Sequence, residues 1–448
     1  MTAIKNVRDA VHGDLPFTEL ELSLMDTSAM QRLRGIRQLG TSYLVFPAAQ
    51  HTRFEHSMGT CYMAKKILDN LIRFDGLELG REDRKAIPAA ALIHDITHIP
   101  FGHTLEDERR IFPRHDMDPR RIEFFVTQGE IGKILSRHKI QGKVLRLLTQ
   151  KGLPDDGPAW QSQIISHTIC ADLLDYLRRD AHFCGLNIDF DDRIFRYFKI
   201  ENDRLIVNLQ KKGLFRHDAF SEVIHLLRIR YFVTERVYYH HAKIAAGAML
   251  SRAVERAVEI GFESTRLFEM TDEALLYTLN HEFKKDPVVN RLISSYQRRS
   301  LYKRCFVLTE HHLDDKKRQE LSEKYHLNKR NQRGKLEKQI AREAHIPLEA
   351  VIVYAPPPKM NLKEADVLVK VDGKRAKPLG DWRNHEVTSL QEKFGKLWKF
   401  YVFVDPEYSQ RFSLVSDLCE RILTQHNDLP LIQKGQLSLF NFSGNSTD

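Results

Sequence analysis

Residues 91–103 read ALIHDITHIPFGH, and they set His94, Asp95, His98 and His103 among apolar neighbours and a proline. A buried helix and its exit turn need none of these ionisable groups, and each would demand a buried partner. A shared cation supplies one. His94 and His98 at i and i+4 predict two imidazoles on one helical face, roughly 6 Å apart, with Asp95 about 100° round the helix and in reach of an ion at that edge. Pro100 and Gly102 then break the helix and leave His103 just past it.

Two further stretches carry matching chemistry. Upstream, HTRFEHSMG offers His56 beside Arg53 and Glu55. Downstream, ADLLDYLRRDAH sets Asp172, Tyr176 and Asp180 at i, i+4 and i+8, a polar stripe on a helix whose Leu173 and Leu177 are apolar. A carboxylate stripe with a tyrosine inside it suits a pocket wall.

The elements that must position these groups are mostly helical. CYMAKKILDNLIRF puts Met63, Ile67, Leu68, Leu71 and Ile72 on one stripe. RIEFFVTQGEIGKILSRH and QSQIISHTICADLLDYLRRDAHF behave similarly, and QRLRGIRQLG stops at Gly40. Residues 221–261 contain no proline and predict one long helix, on which Arg230, Tyr238 and His241 share a face. After about 345 the texture changes. AVIVYAPPPK, ADVLVKVDGK and KFYVFVDPEY are short β-branched or aromatic runs closed by Pro, Gly or Asp. The expected architecture is therefore mainly α, with a helical domain over 1–345 and a small α+β module over 346–448. Between them, DDKKRQELSEKYHLNKRNQRGKLEKQIAREAH reads either as a solvated helical connection or as a phosphate-contacting surface. The final FNFSGNSTD reads as a frayed end.

The chain has 448 residues, is 42% hydrophobic and 29% charged, and carries a net charge of +9. These values describe a globular protein with a leaning towards anionic partners. No apolar run approaches the roughly 18 residues of a membrane helix. The first residues carry Lys5, Arg8 and Asp9 where a signal peptide would be apolar, so a cytoplasmic protein is expected. Cys61, Cys170, Cys184, Cys305 and Cys419 form no CxxC pair and predict buried thiols.

The order His56, His94–Asp95, Asp172 resembles the HD-domain metal-dependent phosphohydrolases. The longer strings DTSAMQRLRGIRQLGTSYLVFPAAQHTRFEHSMG, HDITHIPFGH and LLDYLRRDAHFCG resemble the branch of dNTP triphosphohydrolases that includes the vertebrate sterile-alpha-motif/HD-domain enzyme and bacterial dGTPase-like proteins, over roughly residues 5–305. The resemblance implies an HD-domain helical bundle in which His56, His94, Asp95 and Asp172 hold a divalent transition metal. Manganese, iron, zinc, cobalt and nickel all suit that donor set, and magnesium could accompany the nucleotide. It implies that His98 contacts the scissile phosphate, that His103 is general acid to the leaving oxygen with Glu106 orienting it, and that His115–Asp116 is a second family pair beside the metal. Arg53 fits a phosphate clamp. Gln38 and Asp180 match sugar contacts, Tyr176 a pocket wall, and Arg230, Tyr238 and His241 contacts from the long helix. Asp26, Gln31 and Arg34 match positions that read an activating guanine nucleotide at a subunit interface. Lys5, Arg236, Arg299 and Lys303 resemble that site's remaining contacts, and a homo-oligomer (dimer or tetramer) follows from the same resemblance.

The sequence departs from the pattern in two places. Leu173 stands where relatives with dNTPase activity carry Lys or Arg against the phosphates, and Arg8 stands where the family has asparagine. Leu173 and the basic 296–341 region favour an alternative, a nuclease or phosphodiesterase on single-stranded nucleic acid. A nucleotide sensor with a structural metal would have no use for His98, His103 and His115. An HD-type di-iron oxygenase is a remoter option.

Overall fold

The computed structural model describes residues 4–149, 158–328, 331–371 and 375–435; the expected frayed end lies outside them. Helix α1 (Arg53–Asp75) starts from a capping box, in which the Thr52 amide donates to Glu55 at 2.6 Å, and ends at Gly76 with φ 69°. Met63, Ile67, Leu68 and Leu71 on this helix are buried, as the stripe predicts. Helices α2 (Asp83–Ile93) and α3 (Ala171–Phe183) both pack directly against α1, which is central to the two. All five cysteines are free and buried.

The long helix expected over 221–261 is two helices. Helix α4 (His217–Val233) passes into a π-helical turn, Thr234–Tyr238, and α5 (His241–Glu259) restarts after Tyr239 and His240. A π turn widens the ring by one residue and rotates everything beyond it. Arg230 and Tyr238 still meet, but His241 is turned away from the face expected for all three. The helix expected from QRLRGIRQLG is likewise short, Ser28–Arg32, followed by a 3-10 turn and an isolated bridge between Arg37 and Thr52.

The strands follow in chain order. β1 (Lys5–Asp9) and β2 (Gly13–Phe17) form an antiparallel hairpin. β3 (Phe198–Glu201) and β4 (Arg204–Asn208) are antiparallel, and β5 (Gln210–Lys211) and β6 (Leu214–Phe215) form a small pair. β7 (Lys303–Thr309), β8 (Val351–Tyr354) and β11 (Lys399–Val404) form a sheet in the order β7-β11-β8. β9 (Leu368–Lys370) pairs parallel with β4 and antiparallel with β10 (Lys377–Pro378). The C-terminal α+β texture is thus present, but a division at 345 does not coincide with a structural break. β7, from before it, is completed by β11, from after it, and β9 extends a sheet begun at β3. The basic connection is also not wholly solvated: Arg333 and Glu337 on α6 (Gln332–Ala344) are buried, and Glu337 takes both guanidinium nitrogens of Arg109 at 2.9 and 3.0 Å.

Among the described residues, no helix is long and apolar enough to cross a membrane.

Candidate metal centre and active-site cavity

Helix α2 ends at Ile93, and residues 94–97 are turn. His94 and His98 therefore do not share a helical face as expected. Tight backbone bonds, Ile96 to the Ile93 carbonyl and His98 to the Asp95 carbonyl, replace helical ones. Arg32 then takes the carbonyls of Ile96 and His98 at 3.0 and 2.8 Å. The break sends the two imidazoles into different clusters with Asp95 between them.

The first cluster is His56, His94 and Asp172, whose donor atoms all lie within 4.8 Å of one another. His56 Nε2 is 3.0 Å from Asp172 Oδ1 and 3.6 Å from Asp95 Oδ2. His94 Nε2 is 3.3 Å from Asp95 Oδ1 and 3.7 Å from Asp172 Oδ1. Three elements meet here: α1 brings His56, the end of α2 brings His94 and Asp95, and the first turn of α3 brings Asp172. His94 Nε2 is buried with no hydrogen-bond partner, while its Nδ1 is turned to the Ala91 carbonyl at 2.8 Å. That bond fixes the ring so that Nε2 is the free ligand atom. Burial opposes ionisation of Asp95 and Asp172. For Asp95, His94 and Arg53 outweigh it, and for Asp172, His56 and His94 do, so both carboxyls are held below the ordinary range. Burial also opposes a charge on His56, yet Asp172 and Asp175 push it up to about 10. The pocket favours positive charge, and two imidazoles with two carboxylates fit a divalent metal.

The second cluster is His98, His103 and His115. The rings of His98 and His115 stack with centroids 3.6 Å apart. His98 Nε2 and His115 Nε2 lie 3.4 and 3.7 Å from Asp95 Oδ1, so Asp95 touches both clusters. Glu106 is buried beneath the second. Its Oε2 is 3.1 Å from His103 Nδ1 and 3.2 Å from His115 Nδ1, and its Oε1 accepts the His115 amide at 3.1 Å. Those contacts with His103 and His115 overcome burial and hold Glu106 well below the carboxylate range. Burial, reinforced by Arg53 and His115, lowers His98 well below its usual value, so it stands neutral. His103 is 42% exposed and the most accessible of the three. Asp116 accepts from Arg114 at 3.1 Å.

Both clusters open into a cavity of about 660 Å³, within the usual range for small-molecule sites. Gln38, Arg53, Tyr176, Asp180, Arg230 and Tyr238 all line it; His241 does not. His241 instead stacks on His240, and burial together with Arg304 lowers it to about 4. Arg53 donates to Asp95 at 2.7 Å and to the Gln38 carbonyl at 3.3 Å. Asp180 accepts from Tyr238 at 2.5 Å and faces His51 Nε2 at 2.8 Å. Arg230 lies over the rings of Tyr176 and Tyr238 and 3.0 Å from Glu364. The positions assigned to an interface nucleotide are on the surface: Lys5, Asp26, Arg34, Arg236, Arg299 and Lys303 are exposed and Gln31 half-buried. Arg34 donates to Gln31 at 2.8 Å and lies over the Phe54 ring.

Sequence reasoning missed three groups behind this site. Asp175 sits 2.7 Å from His56 Nδ1 and 2.6 Å from His12 Nε2, and Arg179 grips both Asp175 and Asp9. His51 orients Asp180. The C-terminal segment 354–364 roofs the cavity with Tyr354, Lys359, Asn361, Lys363 and Glu364. A carboxylate behind a ligating histidine is a recurring arrangement, and it was the one available signal for Asp175.

A helical bundle with two histidine clusters bridged by one aspartate, able to hold a metal ion, fits a phosphohydrolase. Comparison places the chain accordingly. The HD domain family matches residues 53–180, and the family described as HD associated region matches residues 191–426. The chain belongs to the HD-domain phosphohydrolase family. It is 32% identical over 308 residues to an uncharacterized protein of Methanocaldococcus jannaschii, covering 67% of this chain and 59% of that one. It is 26% identical over 318 residues to a deoxynucleoside triphosphate triphosphohydrolase SAMHD1 homolog of Dictyostelium discoideum, covering 67% and 59%. With the Mus musculus deoxynucleoside triphosphate triphosphohydrolase SAMHD1 it shares 26% identity over 354 residues, covering 67% and 54%. The chain thus spans less than two thirds of the length of these relatives. A phosphohydrolase crystal structure from Bacteroides thetaiotaomicron superposes with a TM-score of 0.68 at 21% identity, covering 90% of this chain and all (100%) of that one, which establishes the shared fold.

Proposed function

We propose that the protein hydrolyses deoxynucleoside triphosphates to deoxynucleoside and triphosphate. The observation that carries this reading is the cavity, which joins the His56/His94/Asp95/Asp172 cluster to six cationic side chains (Arg53, Arg114, Arg230, Lys243, Lys359 and Lys363) and to the Tyr176–Tyr238 wall. A divalent metal held by those four residues would polarise a phosphoryl oxygen and lower the pKa of water. His98, neutral and beside Asp95, donates to the phosphate. His103, exposed to the cavity and backed by Glu106, delivers a proton to the departing sugar oxygen. Gln38 Oε1 is buried without a partner, which suits an acceptor waiting for a sugar hydroxyl. Asp180 and Tyr238 bound the sugar from the other side. Leu173 removes one cation from the wall, and the lysines of the 354–364 roof replace its charge. The surface set Lys5, Asp26, Gln31, Arg34, Arg236, Arg299 and Lys303 serves, in this reading, as an activating nucleotide site between copies of a homo-oligomer.

The test is direct. Purified protein with Mn²⁺ or Co²⁺ is incubated with each dNTP, alone and mixed, beside labelled single-stranded DNA and RNA. Triphosphate release with intact strands is expected, and Asp95→Ala abolishes it. Strand shortening with inert dNTPs would establish the nuclease alternative instead.

A further inference from the structure

Among the carboxylates that line the cavity and that the reaction described above does not use, Glu108 has a buried oxygen without a partner. Glu108 follows the short helix His103–Asp107, is 7% exposed, and lines the cavity. Its Oε2 is buried and has no hydrogen-bond partner. Burial raises this carboxyl to about 7, with Lys243 and Arg333 opposing. An unsatisfied buried acceptor is costly, and a donor on a molecule filling the cavity would remove that cost.

The surroundings define what fills it. Gly247 on α5 makes room: a Cβ there would lie 3.1 Å from both Glu108 Oε1 and Thr104 Cγ2. Thr104 in turn presses on Gly40, where a Cβ would come within 2.6 Å of its hydroxyl. Glu108 therefore shares a corner with the Gln38–Gly40 loop. Tyr239 and Tyr354 line the same cavity, and the charge on Glu108 contributes to raising the pKa of each. Two aromatic rings near a carboxylate suit a flat heterocycle held by its polar edge.

We infer that Glu108 reads the nucleobase of the substrate and selects guanine. When ionised, this carboxylate accepts only, and two adjacent donors at its oxygens would hold it in that form. Guanine presents N1–H and N2–H side by side. Adenine and cytosine each set one amino donor beside a ring acceptor, which a carboxylate repels. Thymine flanks one N–H with two carbonyls. The inference rests on the nucleotide reading of the cavity and adds the base.

The experiment compares kcat/KM of the Mn²⁺-loaded enzyme for dGTP, dITP and dATP. dITP lacks only the 2-amino donor. The expected result is a preference for dGTP over dITP of about tenfold or more, which collapses towards unity in Glu108→Ala and Glu108→Gln while metal content and thermal unfolding stay as in the wild type. Equal turnover of dGTP and dITP by the wild type overturns the inference, as does a preference that survives both substitutions. If no dNTP is hydrolysed, the activity proposed for the cavity fails first. Calorimetry with dGMP and dIMP on the metal-loaded protein then decides separately, equal affinities or no binding of either overturning the role of Glu108.

Discussion

Asp175 Oδ2 lies 2.7 Å from His56 Nδ1, on the side of the ring away from Asp172, so one imidazole is held between two carboxylates. Asp175 is itself fixed by His12 and by two nitrogens of Arg179, and Arg179 is anchored by Asp9 on the β1–β2 hairpin. Strand β1 thereby reaches the candidate metal cluster through three buried side chains, Asp9, Arg179 and Asp175. The Nδ1 bond keeps the ring oriented with Nε2 towards Asp172 and raises its basicity. Asp175→Asn should weaken metal affinity about 10- to 100-fold, read as metal content after dialysis against a graded chelator. An unchanged Kd would remove Asp175 from the site.

Gly59 on α1 makes that arrangement possible. A Cβ at this position would stand 1.8 Å from Asp175 Oδ1 and 2.5 Å from its carboxyl carbon. In an ordinary exposed helix, alanine for glycine stabilises by about 1 kcal/mol. Here the carboxylate is pinned by His12, His56 and Arg179 and has nowhere to go. Gly59→Ala should therefore destabilise the protein and lower its metal content together, measured by thermal unfolding with and without Mn²⁺. A stabilised, fully loaded variant would contradict the packing.

Much of the site was legible because its residue types are improbable in a core. His56, His94, Asp95, Asp172, and the stripe through Tyr176 and Asp180 declare themselves by being polar where their neighbours are apolar. What the local pattern could not carry was the division of labour between His94 and His98. Helical spacing puts them on one face, but the helix ends at Ile93, and Arg32, some sixty positions upstream, holds the turn beyond it by the carbonyls of Ile96 and His98. His241 was misplaced for a similar reason, since nothing in 221–261 marks a π turn at Thr234–Tyr238. Strand texture after 345 was plain, whereas the pairing of β11 with β7 and of β9 with β4 is a tertiary choice. The roof over the cavity follows from that choice and left no local signature.

Asp272 ties together two loops of the site. Its Oδ1 accepts the Phe101 amide at 2.7 Å and its Oδ2 the Arg37 amide at 3.0 Å, which holds the Pro100–Gly102 turn against the Gln38 loop. Burial raises its carboxyl to about 6, with the Arg37 and Phe101 amides opposing. The folded state therefore binds this proton more tightly than the unfolded chain, whose aspartate titrates near 3.9. The stabilising share of protonation is complete below about 3.9 and is lost as pH rises through about 6. Asp272→Asn cannot titrate. The stability difference between wild type and this variant should shift against the wild type between pH 4 and pH 7, by about 3 kcal/mol at most, in denaturant titrations at both pH values. A difference independent of pH would show that the carboxyl titrates normally.

Leu173 is 3% exposed on the wall of the cavity, and Lys359 and Lys363 approach the same space from the C-terminal segment as exposed side chains. Glu364, next to Lys363, is 3.0 Å from Arg230, so the roof is joined to the α4 wall by an ion pair. Two flexible ammonium groups above a triphosphate supply charge without fixed geometry, unlike a buried guanidinium fork. Their contribution should be modest and sensitive to salt. Lys359→Ala and Lys363→Ala should each raise KM for a dNTP about two- to fivefold, with kcat less affected and the penalty shrinking as ionic strength rises. Binding of the uncharged deoxynucleoside should be unchanged. If neither lysine alters KM at low salt, the cation missing at Leu173 has no replacement in the roof, and the phosphate reading of this cavity rests on Arg53, Arg114, Arg230 and Lys243.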